Sequence, residues 1–116
     1  MSEKASGTPA IEWLTTPDLV EILDEPLGRV RRLIAEQHLV GSDRSGVFAV
    51  PSIFIVDGRP LSSLRGTIIV LKDAGFTDDE VIDWLLEDDE ELGRTPIAAL
   101  LDGHKSAVRR VARTLA

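Results

Sequence analysis

The chain has 116 residues, 43% of them apolar and 28% charged, with 4% aromatics and no cysteine; it is long enough for one compact domain, and disulfides, thiolate metal sites and cysteine nucleophiles are excluded. A net charge of −7 argues against a protein that coats nucleic acid over its whole surface. Without a signal-peptide pattern at the start, or an apolar run near the ~20 residues of a membrane span, the expected location is the cytoplasm and no membrane contact is expected.

Residues 1–12 are rich in Ser, Gly, Thr, Pro and charge without periodicity, and are read as a disordered lead-in. Within it, Thr8-Pro9 is a candidate phosphorylation site for a Ser/Thr kinase, where a phosphate would add about −1.5 to −2 charges and repel nucleic acid. Trp13 and Leu14 open the ordered part. Thr16-Pro17-Asp18 then combines a hydroxyl cap, a first-turn proline and an acid suited to a helix start. The helix carries Leu19, Val20, Ile22 and Leu23 on one face and stops at Asp24-Glu25-Pro26. A second helix follows at once, with Val30, Leu33 and Ile34 inward and Arg29, Arg31 and Arg32 around the rest of its surface. By spacing, the pair is a helix-turn-helix.

Leu39-Val40 and Val47 to Val50 read as two short strands around the glycine-bounded loop Gly41 to Gly46, a candidate wing. Pro51 to Val56 fits either a strand or a short helix. Asp57-Gly58 is a turn, Arg59-Pro60-Leu61 an extended connector, and Ser62 or Ser63 caps a helix that Gly75 closes. Thr77 with Glu80 forms a capping box before Val81, Ile82, Trp84, Leu85 and Leu86; Trp84 is read as core. Thr95-Pro96 opens a helix that breaks at Gly103, and a last helix over roughly 105–115 carries Val108, Val111 and Leu115. The predicted fold is mainly α with a small β-hairpin wing. Its organisation is lead-in 1–12, winged helix-turn-helix 13–57 and helical C-terminal domain 58–116, packed as one compact unit.

Charge is segregated along this plan. Leu27 to Gly66 carries Arg29, Arg31, Arg32, Arg44, Arg59 and Arg65 against Glu36, Asp43 and Asp57, whereas Asp73 to Glu91 holds ten acids and no Lys or Arg. From His104 the tail is basic again. Such blocks speak to partners rather than to fold.

Leu14 to Pro51 resembles the winged helix-turn-helix of the MerR and excisionase type. The residues that carry the resemblance are Leu19 to Leu23, Val30-Arg31-Arg32-Leu33-Ile34, Glu36-Gln37-His38-Leu39, the Gly41 to Gly46 loop and Ala49-Val50-Pro51. Three departures stand out: Asp24 occupies the usual turn glycine, the glycine before the wing's first strand is absent, and Pro26 and Leu27 occupy positions where small polar residues often contact phosphate. With Leu-Lys-Asp-Ala-Gly-Phe and Val-Ile-Asp-Trp-Leu-Leu further on, the whole chain resembles a family of small actinobacterial winged-helix DNA-binding proteins with a helical C-terminal domain of unassigned role. The resemblance implies binding to double-stranded DNA.

The residue chemistry agrees. A recognition helix presents cations to a major groove over an apolar back, and a wing offers small polar and basic groups to phosphate or the minor groove. The expected contacts are Arg29, Arg31, Arg32 and Gln37 on and just after the second helix, and Ser42, Arg44 and Ser45 on the wing. Three arginines on a helix are by themselves more often a solvated face; their position after a helix-turn-helix and before a glycine-flanked hairpin reverses that preference. Arg31, about 100° round the helix from Arg32, has an alternative as the ion-pair partner of Glu21, Asp24 or Glu25. His38 and His104 lack ligand spacing, Glu87 to Glu91 lacks the pattern of a calcium loop, and no phosphate loop or nucleophile elbow occurs. Enzyme activity, a metal and a cofactor are therefore not expected. A homodimer through Val108, Val111 and Leu115 would pair half-sites, unless those residues simply close the core. The competing function is a protein-interaction adaptor on a helix-turn-helix scaffold without DNA binding, which the net charge favours; a small-molecule sensor is a third reading.

Overall fold

A computed structural model describes residues 11–43 and 46–115. Among these the order is β1 (Trp13–Thr15), α1 (Thr16–Leu23), α2 (Leu27–Ala35), β2 (Ala49–Pro51), a 3-10 turn (Ser52–Phe54), β3 (Ile55–Val56), β4 (Arg59–Pro60), α3 (Leu64–Asp73), α4 (Asp78–Leu86), α5 (Pro96–Leu101) and α6 (Lys105–Arg113). The mainly helical fold with a small β component is the one expected.

The start of α1 differs from expectation by one residue. Thr15, in extended conformation, is the cap, and the Asp18 carboxylate accepts from its N–H at 2.9 Å and from its hydroxyl at 3.0 Å. The three-residue spacing to the returning acid decides between the neighbouring threonines, as in a capping box. The other caps lie where predicted. Thr77 donates its N–H to Glu80 at 2.9 Å while Glu80 N–H donates back to the Thr77 hydroxyl at 3.2 Å, and Ala98 N–H donates to the Thr95 hydroxyl at 3.1 Å.

The strand pairing corrects the expected wing. β2 lies antiparallel to β1, with Leu14 opposite Val50, and the wing itself keeps one bridge, Ser42 with Ala49, bonded in both directions at 2.9 and 3.0 Å. Leu39 and Val40 form no strand; at 1% and 3% exposure both enter the core, so they lack the alternation of a half-buried strand. Pro51 to Val56 resolves into both readings, a 3-10 turn and then β3. Asp57 and Gly58, at φ of 52° and 75°, make the hairpin turn that pairs β3 with β4.

One hydrophobic core runs through the structure. Leu19, Val30, Val50 and Phe54 come from the first half, and Ile68, Leu71, Ile82, Leu85, Leu100 and Val108 from the second. α3 packs along α6 and α4 on α5. Trp84 packs half-buried against this core, as expected. Val108 and Val111 are buried within the chain and Leu115 is 40% exposed, so the first two close the core and are not free for a second copy.

Candidate nucleic-acid interface

α1 and α2 are joined by a turn of three residues. Asp24 takes the left-handed conformation at φ 54°, where its N–H donates to Glu21 O and the next N–H, of Glu25, reaches back to Val20 O. Aspartate tolerates this region better than most residues with a Cβ, so it can stand in for glycine. Pro26 then caps α2, and Val30 anchors it at 0% exposure with Leu33 and Ile34 half-buried alongside. That anchor turns the arginines outward: Arg29, Arg31 and Arg32 are all exposed.

The three point to different surroundings. Arg29 lines a groove of about 660 Å³ between the helix-turn-helix and the β3–β4 hairpin, shared with His38, Asp57 and Arg59. Arg31 lines a shallower depression of about 300 Å³ with Thr16, Ile34 and Phe48, which sets it between the recognition helix and the wing. Arg32 donates from Nε to Glu36 Oε2 at 3.1 Å, one helical turn on. This hydrogen bond, helped by the charges of Arg32, His38 and Arg29, holds the Glu36 carboxyl below its ordinary range. Among the described residues, Arg32 is the arginine of α2 that pairs with an acid.

Gln37 follows α2 in the left-handed region at φ 70°. Its N–H donates to Ile34 O at 3.1 Å and that of His38 to Leu33 O at 2.9 Å, which satisfies the last carbonyls of the helix. Gln37 stands where the related motif has its glycine. On the wing, Gly41 is pressed by the Phe48 ring and the Ala49 carbonyl, leaving no room for a Cβ. Ser42 lies at the base, 6% exposed, with no hydrogen-bond partner for its hydroxyl among the described residues. Arg44, Ser45 and Thr8 lie outside the described residues.

The wing has an acidic flank. Gly41, Asp43 and Phe48 share a depression of about 410 Å³ with Thr77, Asp78 and Asp79 at the start of α4. Lys72 pairs with Asp78 on this flank at 2.7 Å, and further cations lie around α2: besides Arg29 and Arg31 there are Arg59, which lines the groove with Arg29, and Arg65, which donates from Nε to Glu36 O at 2.8 Å. Neither had been singled out as a contact, though both belong to the basic stretch from Leu27 to Gly66. His38 lies 4.0 Å from Glu36, and no group of three metal-ligating side chains occurs among the described residues. Nor is any described helix long and apolar enough to cross a membrane.

Comparison with known proteins adds to this geometry. Residues 7–55 match the family described as the wHTH domain of DNA-binding protein Rv2175c, and residues 61–116 match the Rv2175c C-terminal domain of unknown function. The chain is similar to the DNA-binding protein Rv2175c of Mycobacterium tuberculosis, 33% identical over 93 residues, a match spanning 79% of this chain and 60% of that protein. It also superposes on the NMR structure of Rv2175c with a TM-score of 0.83 at 28% identity, over 94% of this chain and 84% of that one.

Proposed function

Because the chain belongs to the Rv2175c family, carrying both of its domains in order, we propose that it binds double-stranded DNA through α2 and the wing. The observation that carries this reading is the arrangement of α2: a helix anchored by fully buried Val30, with Arg29, Arg31 and Arg32 exposed beside a hairpin closed on Gly41. Such a helix fits a major groove, and the wing then falls over the adjacent backbone. In this reading Arg29 and Arg31 contact the duplex directly. Arg32 exchanges Glu36 for phosphate, Gln37 extends the contact surface, Ser42 fixes the base of the wing, and Arg44 and Ser45 add contacts to phosphate or the minor groove. The protein acts by binding, as a transcriptional regulator or nucleoid factor of the cytoplasm, and needs no catalytic group or cofactor. A homodimer would have to use surface such as exposed Leu101 and Leu115. Phosphorylation of Thr8 by a Ser/Thr kinase would weaken binding by repulsion.

The test is fluorescence anisotropy of the full chain on mixed-sequence duplex DNA over a salt series. Wild type is compared with an Arg29→Ala, Arg31→Ala, Arg44→Ala variant. Binding that strengthens at low salt and is lost in the variant is expected; equal or absent binding in both sinks the reading. The alternative, a protein-interaction adaptor, draws on the net charge of −7 and on the acids of α4 beside the wing. It requires affinity for a basic protein partner that the arginine substitutions leave intact.

A further inference from the structure

The C-terminal half places two guanidinium groups at the start of α3, next to the end of the recognition helix. Arg65, in the first turn of α3, is exposed and donates Nε to the carbonyl of Glu36, the residue that ends α2, at 2.8 Å. That bond fixes the side chain across the junction and leaves both terminal amino groups without a partner among the described residues. Arg109, from the middle of α6, lies on Gly66, where any Cβ would overlap its guanidinium, and its Nη2 is 3.5 Å from Ser63 O. No carboxylate pairs with either arginine among the described residues. Three cations among the described residues pair with acids, Arg32 with Glu36, Lys72 with Asp78 and Arg94 with Asp102, whereas Arg65 and Arg109 are held by backbone carbonyls.

The same corner collects unsatisfied polar atoms. Of the buried side-chain atoms without a hydrogen-bond partner among the described residues, Ser63 Oγ and Arg109 Nε belong to this corner. The Ser63 side chain makes no cap bond to its own ten-residue helix. Two unneutralised guanidinium groups therefore flank the positive end of a helix dipole, in a chain with 20 acids and 13 bases. Two guanidinium groups held close together by backbone carbonyls, with no acid paired to either among the described residues, suit an external anion.

We infer that this corner of the C-terminal domain is a phosphate-binding surface that clamps the sugar-phosphate backbone of the same duplex on which α2 rests. Arg65 and Arg109 each contact one phosphate there. The inference builds on the DNA-binding reading above and gives the C-terminal domain a share in it. Arg65 is preorganised by its bond to Glu36, so little side-chain freedom is lost when a phosphate arrives. Contacts of this kind carry no sequence information; they add affinity and fix register.

The experiment is the salt dependence of anisotropy for the full chain on mixed-sequence duplexes, wild type against Arg65→Gln, Arg109→Gln, with thermal melting of each protein alongside. Each lost phosphate contact should lower the slope of log K against log salt by about 0.9, hence by roughly 1.8 for the pair. A fall of that size in a folded variant is the expected result. An unchanged slope beside salt-dependent wild-type binding overturns the inference and leaves the role of α2 standing, since a purely structural arginine moves the melting temperature and not the slope. Wild type that fails to bind at low salt overturns both. If the double variant unfolds, Arg65→Gln alone decides, by a drop of about 0.9 or none.

Discussion

Four helices of this protein end in the same hydrogen-bond pattern, two in each half, but with different residues at the critical position. In the second half, α3 and α5 close on Gly75 at φ 96° and Gly103 at φ 86°, with Phe76 N–H returning to Leu71 O and His104 N–H to Ala99 O. In the first half, α1 and α2 close on Asp24 and Gln37 at φ 54° and 70°. A left-handed backbone favours glycine by roughly 1 kcal/mol, more for a long side chain than for aspartate. The C-terminal helices therefore stop at a residue made for the turn, whereas the helix-turn-helix keeps side chains where glycine would be more stable. Strain retained beside a candidate interface suggests that those side chains are needed there.

Whether the two halves fold as one unit is open to direct test. Phe54, fully buried in the core that both halves share, is the place to ask, and Phe54→Ala should cost about 3–5 kcal/mol. Trp13 and Trp84 report the two halves separately in single-tryptophan variants. Coincident denaturant midpoints, both shifted equally by the substitution, are expected; separate transitions would mean that each half must be compared on its own terms.

Substitutions at the helix closures act locally. Gly75→Ala and Gly103→Ala should each destabilise by about 1–2 kcal/mol, because alanine at positive φ is strained, with melting temperature as the readout. Gln37→Gly should act in the opposite sense, raising stability by roughly 0.5–1 kcal/mol while weakening DNA binding. If Gln37→Gly gains stability and binds as well as wild type, its side chain has no part in the interface. The smallest effect belongs to Glu36. Its folded pKa is depressed, first of all by the Arg32 hydrogen bond, so any stability it adds is present above its unfolded value and is lost as pH falls through the folded one. An NMR titration should place its midpoint below the usual glutamate range and Arg32→Ala should return it upward, with almost no change in melting temperature because the pair is solvent-exposed.

Local chemistry made much of this legible. The Thr77–Glu80 box, the Thr95-Pro96 start, the Gly75 and Gly103 stops and the outward arginines of α2 all depend on residues within one turn of each other, and they read correctly from sequence. What could not be read depends on distant partners. The strand after the wing pairs with Trp13 to Thr15, more than thirty residues earlier, and this displaces the hairpin that Leu39 and Val40 were expected to complete. Ser42 has the composition of an exposed loop residue, and only the fold reveals that it is enclosed. Likewise Arg65 and Arg109 are unremarkable in a linear reading, because nothing local brings α6 across Gly66 or α3 to the end of α2.

Trp13 and Pro51 stand opposite each other across an antiparallel ladder, with Ser52 N–H bonded to Glu12 O at 2.8 Å, so the chain enters and leaves the helix-turn-helix side by side. Neighbouring strands are about 5 Å apart, a gap that a linker of a few residues spans. The helix-turn-helix is thus a closed cassette, with the geometry required for circular permutation or for grafting into a surface loop of another protein.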